Sequence, residues 1–181
     1  ALGVNTLAEL ADADDQLRSR IRDEWIDRGV YIMDRHSVQI DWEVSIGEGT
    51  RILPNTVLLG QTTIGTDCEI GFGTLLQDAV VGNNCKILSS VIEGASIEDS
   101  VSIGPFSHLR PGTIVESEVH IGNYAEVKAS RIGKGSKMGH FSYMGDAEVG
   151  SNVNIGAGTI TCNFDGEQKH STVVGNDVFL G

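Results

Sequence analysis

A six-residue period governs this sequence, and few folds can accept one. Ile46, Ile52, Leu58, Ile64, Ile70 and Leu76 follow at six-residue steps, and so do Val91, Ile97, Ile103, Leu109, Val115, Ile121 and Val127. Shorter runs join Ile132, Met138 and Met144, then Val149 and Ile155, then Val174 and Leu180. Four positions after the aliphatic residue stands a small or β-branched one: Thr50, Thr56, Thr62, Cys68 and Thr74 early, Cys85 and Ala95 next, Ser107, Thr113, Ala125, Ser136, Ser142 and Thr159 later. Helices repeat near 3.6 and strands at 2, so neither sustains this pattern. A triangular coil does. Each hexad supplies one short strand and one corner, three hexads close a turn, and stacked turns pair strand over strand into three parallel sheets. Gly, Asn and Asp relieve strain at the corners. Composition agrees, because 23 glycines and only 6% aromatics demand repeated packing of small residues.

The step shortens to five at 76 to 81, 127 to 132 and 144 to 149, which reads as tightened corners. From Cys162 to Thr172 the ladder is interrupted, and this stretch is expected to project as a loop. Before the ladder, Leu7, Leu10, Leu17, Ile21 and Trp25 recur near helical spacing. Asn5 or Thr6 can cap that helix and Gly29 stops it, while Arg18, Arg20, Arg22 and Arg28 in its C-terminal half suit the helix dipole. The expected organisation is a linker helix over 1–30 and a β-helix over 31–181.

The formal charge of -12 argues against nucleic acid and anionic membranes as partners, since both would be repelled. No apolar run approaches the ~20 residues of a membrane span, and no signal peptide opens the chain. Ala1 stands where a Met would begin a chain and is read as a processed or truncated start. Three cysteines, Cys68, Cys85 and Cys162, lack metal-type spacing and favour reduced thiols in a cytoplasmic protein.

The second half carries longer motifs: Gly104-Pro105-Phe106, His108-Leu109-Arg110-Pro111-Gly112, the run from Val119 to Asn123, Glu126-Val127-Lys128, the runs Gly135 to His140, Ser142 to Ala147 and Val153 to Asn163, and Asp165-Gly166. Together with Gly3-Val4-Asn5 at the start, they resemble the acetyltransferase half of the bifunctional N-acetylglucosamine-1-phosphate uridyltransferase / glucosamine-1-phosphate acetyltransferase family, within the hexapeptide-repeat acyltransferases. The resemblance implies an all-β, left-handed parallel β-helix behind an N-terminal linker α-helix. It also implies homotrimers with active sites between subunits. Relative to that family the chain lacks the preceding nucleotidyltransferase domain and stops at Gly181 before the last coils. Acetylation by the chain alone is therefore expected to be weak or absent.

The implied reaction carries acetyl from acetyl-CoA to the amine of glucosamine-1-phosphate, feeding UDP-N-acetylglucosamine, peptidoglycan and lipopolysaccharide synthesis. An attacking amine must lose a proton, and imidazole, with a reference pKa of ~6.5, suits that task. His140 is the candidate base because it stands in the matching motif between two inward hexad positions. His36 lies outside the ladder, His120 flanks an aliphatic position, His170 is in the loop, and His108 reads as a surface neighbour. Arg110, Lys128 and Lys169 match the family's sugar-phosphate contacts, a planar fork and two point charges. Arg131, Lys134 and Lys137 read as solvated. Tyr143 and Asn154 match sugar contacts, although Asn154 could instead be a left-handed corner. Ala157, Asn163 and Phe164 match acetyl-CoA contacts, with Phe164 replacing the family's usual Tyr. Cys162 reads as structural. Asn5 matches a residue near the uridyltransferase Mg²⁺ and would be an orphan here. A non-catalytic oligomerisation or regulatory module is the alternative reading.

Overall fold

The computed structural model describes residues 3–181, so the reading of Ala1 lies outside the described residues. The helix runs Leu7–Asp27. Thr6, not Asn5, is its cap: Thr6 Oγ1 accepts the Glu9 N–H at 3.2 Å. Glu9 reaches back to accept the main-chain N–H of Asn5 (2.7 Å) and of Thr6 (3.0 Å). Beyond Asp27, Gly29 takes φ +86° and ends the helix. The dipole expectation for this helix fails. Its last turn holds no basic residue; Arg18 and Arg28 pair instead with Asp14 and Glu24 on the helix itself, and Arg22 is buried. Of the apolar stripe, Ile21 and Trp25 pack against the prism, together with Ile26, whereas Leu7, Leu10 and Leu17 are exposed. The helix rests on the first coil through its C-terminal half alone. Among the described residues no helix is long and apolar enough to cross a membrane.

The rest is the expected triangular coil. Twenty-four short strands form three wholly parallel sheets of nine, seven and eight strands. The first sheet runs from Tyr31–Ile32 to Phe179–Leu180, the second from Gln39–Ile40 to Ser142–Gly145, and the third from Ser45–Ile46 to Thr172–Val174. Aliphatic residues stack in register inside: Ile52 on Ile70, Ile70 on Ile87, Ile87 on Ile103, Ile103 on Ile121. One rung departs from the reading. Val91 faces out, and Ile92 fills the interior between Leu76 and Leu109. Two further five-residue steps, Ile87 to Ile92 and Ile92 to Ile97, account for it: strict six-counting back from Ile97 lands one residue early.

The small residues have a physical task. Ser130 Oγ donates to the Lys128 carbonyl (2.8 Å) and accepts the Ala147 N–H (2.9 Å) from the next coil. Ser136 does the same between the Gly150 carbonyl (2.8 Å) and the Val153 N–H (2.9 Å). Each hydroxyl thus satisfies corner groups that the ladder leaves unpaired. Cys68 and Cys85 occupy the row of Ser136. The Cys68 thiol bonds the Gly82 carbonyl at 3.1 Å and accepts the Cys85 N–H at 3.4 Å. Among the described residues no buried side-chain polar atom lacks a partner.

Candidate active site

With Leu109, Val127 and Met144 stacked inside, every second residue of the second sheet points out. His108 pairs with Glu126 and Glu126 with Tyr143, giving one outward row. Lys128 pairs with Gly145 in the next row, and Arg110, whose N–H bonds the Val127 carbonyl at 2.8 Å, heads that row. Residues far apart in sequence, Arg110, Lys128 and Tyr143, are thereby placed on one half-buried face. Gly145 makes room there. A Cβ at 145 would overlap the Tyr143 hydroxyl, so glycine lets the phenol fold across into the row of Arg110 and Lys128.

Two carboxylates hold Arg110 and His108. Arg110 Nη1 donates to Glu126 Oε1 at 3.0 Å, and His108 Nε2 lies 2.8 Å from Glu93 Oε2. Reading the sequence for site residues passed over both acids. The alternation carried the signal, since Glu126 stands two residues before Lys128 and must share its outward face.

His140 occupies the corner between Lys137–Met138 of the first sheet and Ser142–Gly145 of the second. Its ring is exposed, and its main-chain carbonyl accepts Ser142 Oγ at 3.1 Å. The preceding coil crosses it at Gly122, where a Cβ would strike the Gly139 carbonyl. Along the same edge Phe106 and Tyr124 stack with ring centroids 5.5 Å apart, both at positive φ (62° and 59°). Bulky residues seldom accept that conformation. With exposed Phe141 they form an aromatic ridge leading to His140. Ala157 takes the matching corner of the next coil, where Gly158 N–H donates to the Phe141 carbonyl at 2.8 Å.

The excursion after Ile160 starts beneath this face. Ile160 bridges to Tyr143, and Gly145 N–H donates to Thr161 Oγ1 at 3.0 Å. Asn163 is buried with its amide donated to Asp146. Phe164 and Lys169 oppose each other in an antiparallel bridge, both exposed. Asp165 closes the turn: N–H groups of Gln168 (2.7 Å) and Glu167 (2.8 Å) and the His170 ring (2.6 Å) converge on its carboxylate. These bonds, the Gln168 N–H foremost, hold its pKa down at about 2.

The remaining positions are less convergent. Asn154 lies in a strand of the first sheet, exposed between Lys137 and Phe179, so it is not a left-handed corner; Asn152 is. Within one chain it does not share a face with Arg110, Lys128 and Tyr143. Asn5 sits at the opposite end of the molecule. Among the described residues no cluster of three His, Cys, Asp or Glu side chains could hold a metal, so Asn5 finds no companion ligands for Mg²⁺ here. His120 is bonded to Ser102 Oγ at 2.7 Å on the first sheet. Arg131 pairs with Glu116 and Lys134 with Glu118, as solvated surface cations do. Cys162 is exposed.

The pattern of the bacterial transferase hexapeptide family (six repeats) matches residues 43–78 and 94–129. A protein of Caldanaerobacter subterraneus called bifunctional protein GlmU is 47% identical over 99% of this chain and 39% of its own length. Its namesake from Caldicellulosiruptor saccharolyticus is 48% identical over the same shares. The chain thus spans about two fifths of the length of the curated relatives it matches. A crystal structure of a candidate acetyltransferase from Bacillus cereus superposes with a TM-score of 0.51 at 16% identity, over 72% of this chain and 80% of that one, a likeness of fold. Hexapeptide pattern, parallel three-sheet coil and near-complete alignment agree: this chain is a left-handed β-helix of hexapeptide repeats, similar over nearly its whole length to part of the bifunctional GlmU proteins.

Proposed function

We propose that this chain is the glucosamine-1-phosphate N-acetyltransferase part of its parent protein, with acetyl-CoA as the second substrate. One observation carries the reading: Arg110, Lys128 and Tyr143 meet on one face whose edge is His140. Arg110 and Lys128 hold the sugar phosphate, the Tyr143 hydroxyl and the Asn154 amide fix sugar hydroxyls, and Lys169 adds a charge from the projecting loop. Asn154 faces away from the others in a single chain. A homotrimer answers this, bringing the first sheet of one copy against the second sheet of the next. Ala157, Asn163 and Phe164 bind acetyl-CoA along the corner below His140. Asn163 enters through its main chain, its amide being donated to Asp146.

In the reaction the amine lone pair attacks the thioester carbonyl carbon. The carbon–sulfur bond breaks, the thiolate of CoA leaves, and the amine proton passes to His140 and then to that sulfur. At the Gly156–Gly158 corner the N–H groups of Gly156 and Gly158 are donated to the Leu180 and Phe141 carbonyls, so on this reading the Ala157 N–H receives the oxyanion. The ridge of Phe106, Tyr124 and Phe141 supplies an apolar wall. In the parent protein, on this reading, Asn5 serves the Mg²⁺-dependent uridyltransferase together with residues outside this chain, and the protein works in the cytoplasm. Its product leads to UDP-N-acetylglucosamine. The test is thiol release from acetyl-CoA by the full-length protein with glucosamine-1-phosphate. His140→Ala is expected to lower kcat by about 10²–10⁴ with little change in KM, as loss of a general base does. Unchanged turnover would remove His140 from the chemistry.

A further inference from the structure

At the opposite end of the prism a positive charge is buried without a counter-ion. Arg22 is 5% exposed. Its Nη1 donates to the Val38 carbonyl at 3.3 Å, an acceptor of the first coil, and its Nη2 donates to Ser19 Oγ at 3.0 Å. Among the described residues no carboxylate forms an ion pair with it. The nearest acid in sequence, Asp23, is taken by Arg35 at 2.7 Å. Asp34 is turned into its own loop, accepting the His36 N–H at 3.1 Å. A guanidinium stays charged at any ordinary pH, and burying it unpaired costs several kcal/mol.

The geometry supplies a reason. Arg22 lines a cavity of about 270 Å³ together with Ser19, Asp23, Arg35 and His36. Its Nε makes neither of the two bonds above. Since no fully buried side-chain polar atom among the described residues lacks a partner, Nε is not wholly enclosed and is free to donate. Asp23 offsets Arg35, so one full positive charge remains uncompensated beside a hydroxyl and an imidazole. We propose that this cavity, between the linker helix and the first coil, binds a phosphate-type oxyanion. Arg22 and Arg35 act as the forks, and Ser19 Oγ and the His36 ring as further donors. Such an anion ties the helix to the β-helix, and it is separate from the acetyl-transfer face.

Inorganic phosphate is the probe, titrated against chloride at constant ionic strength and followed by thermal unfolding and calorimetry. Binding that the native fold alone makes raises Tm saturably. Arg35→Gln is expected to weaken phosphate binding about tenfold or more, the loss of one charge-assisted contact. Asp23→Asn, which frees Arg35, is expected to tighten it, an effect that a purely structural Arg22 would not produce. Arg110→Ala removes any phosphate held at the acetyl-transfer face, and the binding component that Arg35→Gln weakens should persist in it. Arg35→Gln keeps the Arg22 bonds intact, so the test does not depend on whether Arg22→Gln folds. A Tm response no greater than that of chloride overturns the proposal. So does phosphate binding that survives Arg35→Gln and disappears in Arg110→Ala.

Discussion

The middle coils and the last coil obey the same hexad rule and end in different states. Leu109, Val115 and Ile121 are completely buried, each stacked between coils on both sides. Val174 and Leu180 hold positions equivalent to Val115 and Ile121 and are half-buried, as is Val178 in the corner row, while Val173 and Phe179 beside them are exposed. Within the described residues one coil covers them instead of two. An aliphatic residue in this architecture is therefore buried by its neighbours' register rather than by its own coil. The excursion before the last coil differs again. It is fastened by polar groups, Asn163 on Asp146 and the Asp165 turn, where the middle coils use stacked aliphatics.

The largest effect expected from this contrast is on stability. Leu109→Ala should cost about 2–5 kcal/mol, a buried leucine lost from a packed interior. Leu180→Ala, already half in water, should cost about 1 kcal/mol. Urea unfolding of the two variants checks this, and equal losses would break the comparison. Next come the corners. Gly122→Ala forces a methyl onto the Gly139 carbonyl, whereas nothing lies within 4 Å of a Cβ at Gly175. Overpacking predicts about 1–3 kcal/mol for the first and roughly 0.5 kcal/mol or less for the second. Removing one interior hydroxyl sharpens the same point. Ser130→Ala leaves the Ala147 N–H unpaired and should cost about 1–2 kcal/mol, readable in the exchange rate of that amide.

Acid provides the smallest and most local perturbation. Asp165 has its pKa lowered to about 2 in the folded chain, against ~3.9 for an unperturbed Asp. Its contribution is therefore complete above the ordinary value and fades as pH falls from about 4 towards 2. Amide shifts of residues 165–170 should report loosening of the turn across that window while the middle coils stay unchanged. Loosening that begins above pH 5 would assign the turn's stability to another group.

The interior was legible because its period is short and its constraint is steric. Ile52, Ile70 and Ile121 could be placed without any structure. Val91 could not, because a five-residue step on each side of Ile92 hides in a run of consecutive aliphatics, Val91 and Ile92. The outer faces were harder. Arg110, Lys128 and Tyr143 were found through motifs, but their juxtaposition needs the register between coils, which periodicity gives only if every slip is known. Glu126, quoted in a motif, and Glu93 were given no role for the same reason, each bonding diagonally to a residue one coil away. Leu7, Leu10 and Leu17 marked the helix correctly but not its packing: helical spacing shows an apolar stripe, and it does not say what the stripe will meet. Arg22 shows the limit most clearly. In sequence it is one of several helix arginines, and burial alone sets it apart.

The most direct test of the central claim is calorimetric binding of glucosamine-1-phosphate to this chain, with Arg110→Ala and His140→Ala measured beside it. A preformed sugar-phosphate face with a separate base predicts saturable binding that weakens about tenfold or more in Arg110→Ala. It also predicts near-native affinity in His140→Ala. Absence of binding by the assembled wild-type chain, or equal affinity in Arg110→Ala, would contradict it.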